Sequence, residues 1–109
     1  MSSSYKKYSM KTDLLEISKA AKIIGSKWTL LILTSLLKDK KRFGELQKEV
    51  GNINPRTLSK RLQDLEKEGY VTKKIFAEVP LHVEYSLTKR GGVFKHIVDA
   101  VKSCDKKLN

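Results

Sequence analysis

Between Asn54 and Gly69 the chain reads NPRTLSKRLQDLEKEG, and its side chains sort by chemistry once they are wound onto a helix. At about 100° per residue, Leu58, Leu62 and Leu65 share one narrow sector, while Arg56, Lys60, Gln63 and Lys67 lie opposite. Thr57 and Asp64 flank that polar face, and Arg61 borders the leucines, where its aliphatic stem can lie along the apolar stripe. Guanidinium, ammonium, amide and hydroxyl groups at this spacing match phosphate oxygens and the acceptor-rich edges of base pairs. Arg56 stands in the first turn, where the helix dipole disfavours a cation by a few tenths of a kcal/mol. A helix start with added cations is an anion site, so a bound polyanion reverses that cost. A solvated charged face is the plainer reading, since Lys60 with Asp64 and Arg61 with Asp64 are also ordinary helix-surface pairs.

Other chemistries find little support. No glycine-rich phosphate loop is present, and no nucleophile has a base nearby, so an enzyme is not expected. Cys104 is the single cysteine, and with His82 and His96 it makes no ligand spacing; neither a metal nor another cofactor is expected. The chain of 109 residues carries 23 Lys and Arg against 12 Asp and Glu, a formal charge of +11 spread along its length. That excess suits a polyanionic partner. No apolar run reaches the length of a membrane span and no leader pattern is seen, so a cytoplasmic protein without a membrane partner is expected.

The elements that must hold the polar face follow from pattern. Residues 1–12, MSSSYKKYSMKT, have no apolar period and read as a flexible basic arm, either a plain leader or one touching DNA through Lys6, Lys7 and Lys11. Residues 13–109 then form one domain. Asp13 and Glu16 mark a helix start, and Leu14, Ile17, Ala21 and Ile24 carry its apolar side to Gly25. Ser26 caps a second helix, KWTLLILTSLLKD, apolar nearly all round and therefore central. KRF reads as a short edge strand, GELQKEV as a two-turn helix ended by Gly51, and NIN as a tight turn. Asn54 is a favourable N-cap for the quoted helix, with Pro55 at its first position and Gly69 past its end.

Two strand-like segments follow, YVTKKIFA and VEYSLT, joined by a loop with Pro80 at its tip. The second alternates Val83, Tyr85 and Leu87 inward with Glu84 and Ser86 outward. Thr88 is expected to cap a final helix over 89–108, whose Phe94, Ile97, Val101, Cys104 and Leu108 repeat at heptad-like spacing. The fold class is mainly α with a small β-hairpin: a winged helix-turn-helix, with a three-helix core plus a wing. In that fold the helix over about 54–68 enters the major groove, and the wing over about 76–83 meets the adjacent minor groove or backbone.

GSKWTLLIL, RFGELQKEV, RTLSKRLQDLEKEGYV and EVPLHVEYSLTKRG together resemble, in order and spacing, the HxlR family of winged helix-turn-helix transcription regulators. The resemblance runs from about Leu14 into the final helix. It implies a homodimer on double-stranded DNA at a near-palindromic site, with helices 13–25 and 89–108 forming most of the subunit contact through Leu14, Ile17, Ala21, Phe94, Ile97, Val101, Cys104 and Leu108. Candidate DNA contacts are Asn54, Arg56, Thr57, Lys60, Arg61, Gln63 and Asp64 on the recognition helix, and Lys41, Arg42, Lys73, Lys74 and His82 on the strands and wing. The chain departs from the family at two places. The cysteine that members often carry near the start of the first helix is replaced at about Leu15, so its electrophile or oxidant sensing does not transfer. At the expected wing tip His82 replaces an arginine, and imidazole is the weaker phosphate partner. Two other functions stay open: a protein-binding winged helix, and a thiol or ligand sensor at the dimer seam near Cys104. Nothing in the residues specifies a small-molecule effector.

Overall fold

The computed structural model describes the backbone of residues 10–109 and the side chains from residue 16 onward. Lys6 and Lys7 of the expected arm, and the side chains of Lys11, Leu14 and Leu15, lie outside the described residues. The first helix, α1, spans Met10–Ile24 and so begins before the Asp13 and Glu16 pair expected to start it. Met, Lys and Thr in the preceding turn include no helix breaker, and the helix runs through them.

After Gly25 the chain turns sharply, so that the axes of Glu16–Ile24 and Lys27–Lys38 differ by 87°. Helix α2 is Lys27–Lys38; the Ser26 hydroxyl accepts from the Thr29 backbone N–H at 3.2 Å, the expected cap. Ile32, Leu33 and Leu36 of α2 are buried at the centre of the domain, and Trp28 packs against the same core. No single helix among the described residues is long and apolar enough to cross a membrane.

Strand β1 (Lys41–Arg42) leads directly into the short helix α3 (Phe43–Glu49), where the Glu45 carboxylate accepts from the Arg42 backbone N–H at 2.8 Å. Helix α3 gives Leu46 to the core, and Val50 and Ile53 around the turn join it. The turn passes through Gly51 (φ 97°) and Asn52 (φ 57°), both left-handed, residue types that tolerate this region. Helix α4 then runs over Pro55–Lys67. Its boundaries agree with the sequence reading because Asn54, Pro55 and Gly69 each carry an independent start or stop signal.

Strands β2 (Val71–Phe76) and β3 (His82–Leu87) form the wing, and β1 adds on the far side to give an antiparallel sheet ordered β1-β3-β2. The hairpin register runs from Val71 opposite Leu87 to Phe76 opposite His82. Tyr85 and Leu87 pack on the core as expected, and burial pushes the Tyr85 phenol above its ordinary pKa. Glu84 on the other face approaches Lys40 at 3.8 Å.

The last helix, α5, spans Phe94–Leu108 and is preceded by a 3-10 turn, Gly91–Val93. Thr88 therefore does not cap α5. Its hydroxyl instead accepts from the Gly91 N–H at 3.0 Å and donates to the Gly69 carbonyl at 2.6 Å. The two glycines after Arg90 weaken a long helix there and favour the tighter turn. Gly91 is buried against Tyr70 and Leu87, where an added Cβ would meet the Tyr70 carbonyl. Tyr70 in turn sits edge-on to Phe94, ring centres 4.6 Å apart.

Candidate nucleic-acid interface

The recognition face is built from the back. Leu58, Leu62 and Leu65 of α4 retain 0%, 1% and 5% exposure, and this fixes the rotation of the helix. Burying three leucines contributes roughly 1.5–3 kcal/mol each, several times any surface pair the opposite side can offer. Arg56, Lys60, Gln63 and Lys67 are consequently exposed together, with Thr57 and Asp64 half-buried at the margins.

Individual side chains depart from a uniform contact set. The Asn54 side-chain Oδ1 accepts from the Arg56 N–H at 2.8 Å, so its acceptor is already used to cap the helix. Lys60 Nζ donates to Asp64 at 3.1 Å, a solvent-exposed pair that a stronger anion can displace. Arg56 has no ion-pair partner among the described residues. Arg61 is half-buried, and its Nε is shielded from solvent without a hydrogen-bond partner among the described residues. Its guanidinium is accordingly less open to a ligand than that of the exposed Arg56.

Around the wing, Lys73 and Lys74 are exposed on β2, Lys74 reaching over the Phe76 ring at 5.0 Å. His82 is not at the wing tip. It is the first residue of β3, paired with Phe76 and stacked on its ring with 4.6 Å between centres and 13° between planes. Residues 77–81 form the tip and include the exposed Val79 and Leu81 but no Lys or Arg. The offset arises because the hairpin continues two residues beyond Glu84 before the loop begins.

Lys41 also departs from its expected role. Its ammonium is held by Glu49 at 2.9 Å and is only 18% exposed, which ties β1 to the end of α3. The hydrogen bond from Lys41 holds the Glu49 carboxyl below its ordinary pKa and raises that of Lys41 itself. Arg42, next in sequence, is exposed and borders a groove of about 540 Å³ whose other walls are Phe43, Gly44, Glu45, Lys48, Leu81, His82 and Val83. Lys48 escaped the sequence reading, although its position four residues after Gly44 puts it on the outer side of α3.

The expected subunit-contact residues divide. Phe94 is 4% exposed in the chain's own core, because it enters α5 directly beside Tyr70, and Val98 one turn later is buried with it. Phe94 is therefore a core residue rather than part of an open face. Ile97 and Val101 are half-buried, while Ala21, Cys104, Ile17 (53%) and Leu108 (80%) are open to solvent. Ile24 of α1 and His96, Ile97, Ala100, Val101 and Cys104 of α5 line a shared, mostly apolar hollow of about 330 Å³.

A helix, a tight turn, a second helix with a buried leucine back and a cationic front, and an antiparallel wing define the winged helix-turn-helix class of transcription regulators. Residues 23–108 match the HxlR-like helix-turn-helix family, and the chain belongs to it. The HTH-type transcriptional regulator YvaP of Bacillus subtilis is 37% identical over 83 residues, covering 76% of this chain and 77% of that protein. A second, from Halalkalibacterium halodurans, is 41% identical over 78 residues, 71% of this chain and 69% of its own. Among solved structures, a MarR-family transcriptional regulator from Porphyromonas gingivalis W83 superposes with a TM-score of 0.75 at 36% identity, covering 80% of this chain and 85% of that one. The redox regulator HypR in its oxidised form gives 0.76 at 32% identity, covering 84% and 95%. The relatives are transcriptional regulators.

Proposed function

We propose that the protein regulates transcription as a homodimer that binds a near-palindromic stretch of double-stranded DNA, with α4 in the major groove and the wing against the neighbouring minor groove or backbone. The observation that carries this reading is the pairing of three buried leucines with an outward Arg56, Lys60 and Gln63 on the same helix. Arg56 and Gln63 are the base-reading candidates, by bidentate contacts to guanine and adenine. Lys73, Lys74 and Arg42 supply phosphate contacts, and Lys60 joins them when Asp64 yields it. Asn54 acts by presenting the helix start.

The apolar residues left open on α1 and α5 support a second copy of the chain as the partner there. Two recognition helices related by a two-fold axis then meet half-sites about one helical turn apart. Duplexes selected from a random pool test the reading directly. Arg56→Ala should weaken the selected site about 5- to 150-fold, the worth of one bidentate base contact, and random duplex far less. Equal loss on both would reduce Arg56 to a phosphate contact, and absence of any selected sequence would overturn the reading. A log-log salt slope on the order of −5 or steeper is expected for six or more phosphate contacts, whereas a flat response would favour a protein partner.

A further inference from the structure

The chain leaves α4 at Gly69 and enters α5 only after the whole wing has intervened, yet exit and entry are fastened together. The Thr88 hydroxyl donates to the Gly69 carbonyl at 2.6 Å, across a sequence separation of 19, and accepts from the Gly91 N–H at 3.0 Å. The Thr88 N–H donates to the Tyr70 carbonyl at 3.0 Å. Gly91 packs against that same carbonyl with no room for a Cβ. The Tyr70 ring lies edge-on to Phe94, the first residue of α5, and the Arg90 guanidinium sits 5.0 Å from the ring centre. Elsewhere both helices pack on α2 through apolar side chains. Apolar packing has no preferred direction and allows small shear, whereas hydrogen bonds fix direction as well as distance.

We propose that Thr88 is a positioning residue for DNA recognition. By fixing the exit of α4 to the entry of α5, it sets the separation and twist of the two recognition helices in the dimer, and so the half-site spacing that the protein accepts. The proposal rests on the homodimeric DNA-binding reading above, in which α5 meets the second copy and α4 the major groove. It gives Thr88 a part in specificity without a contact of its own to a base. Each inserted base pair turns one half-site by about a tenth of a helical turn and carries it along the axis, so a stiff joint discriminates between neighbouring spacings and a loose one adapts.

The test uses the full chain and a half-site selected from a random pool, placed as inverted repeats whose spacers differ by single base pairs, with fluorescence anisotropy as the readout. On the unaltered chain, one base pair more or less than the best spacer should weaken binding about 5- to 150-fold, the usual size of a coupling between two sites. Thr88→Val keeps the branched shape without the hydroxyl and should bring neighbouring spacers to within about threefold of the best one, while Thr88→Ser restores the discrimination. Because the discrimination is a ratio of affinities measured on one preparation, a partly unfolded population cancels from it. Ile32→Val, a truncation in the α2 core, loosens the fold away from the junction and should leave the ratio as in the unaltered chain. Arg90→Met keeps a long stem and removes the charge from the Tyr70 ring; it should relax the ratio in the same direction by a smaller factor. Undiminished discrimination in Thr88→Val, or in Arg90→Met alone if Thr88→Val is unfolded, overturns the proposal and leaves the DNA reading standing, as does equal relaxation in Ile32→Val. If the unaltered chain binds a single half-site as tightly as any repeat, the homodimer reading fails and the proposal with it.

Discussion

At the residue scale, the same side-chain types serve opposite ends according to their neighbours. Lys41 and Arg42 are adjacent, yet Glu49 holds the first and nothing described holds the second. Sequence spacing shows both as bases ahead of a short helix, and only the fold reveals that the end of α3 returns a carboxylate to one of them. The pH consequence follows from the direction of the two shifts. Glu49, held below its ordinary pKa of 4.5, stabilises the fold above that value and loses its contribution as the pH falls through its lowered one. Lys41, raised above 10.5, contributes below that value and ceases to as the pH rises through its own. Glu49→Gln should therefore melt below the unaltered chain at neutral pH, and the gap should close as acid protonates Glu49, measured by thermal melts from pH 7 to pH 2. Asn54→Ala removes the acceptor that caps α4, and about 1 kcal/mol of stability should go with it in a urea titration.

At the element scale, the recognition helix was the most legible part of the chain because its signals are local: an N-cap, a proline, an i, i+4, i+7 leucine stripe and a terminal glycine. The core helix and hairpin were legible for the same reason. The wing tip, the start of α1 and the cap of α5 were not, because each depends on where a neighbouring element ends. His82 illustrates the limit: only pairing with Phe76 decides whether it belongs to loop or strand. Phe94 illustrates another, since heptad spacing cannot separate a core-facing residue from a partner-facing one a third of a turn away. Leu58→Ala is expected to cost about 2–5 kcal/mol, because α4 loses the anchor that sets its rotation. Gly91→Ala should cost more than about 2 kcal/mol by forcing the Tyr70 backbone from its close approach to the 3-10 turn. Chemical denaturation checks both, with circular dichroism to show whether the folded baseline survives.

At the scale of the whole molecule, the chain presents two open surfaces, a cationic front on α4 and the wing and an apolar flank on α1 and α5. Val101→Glu together with Ile17→Glu should shift a dimer toward monomer in sedimentation equilibrium without lowering the far-ultraviolet helix signal of the protomer. Binding to a palindromic duplex should then fall far more than binding to a half-site. Cys104→Ser is expected to leave DNA affinity unchanged in reducing buffer; an oxidant response that disappears in this variant would assign the thiol on this flank a sensing role.

Thr88 joins these two surfaces. Its hydroxyl holds both the carbonyl just past α4 and the amide that opens the turn into α5, and its own N–H bonds to Tyr70. Three hydrogen bonds on one residue thus clamp the exit of α4 to the entry of α5. On the proposed reading, in which α5 meets a second copy and α4 meets DNA, the embrace of the two copies and the spacing of their reading heads would both run through this one clamp at Thr88.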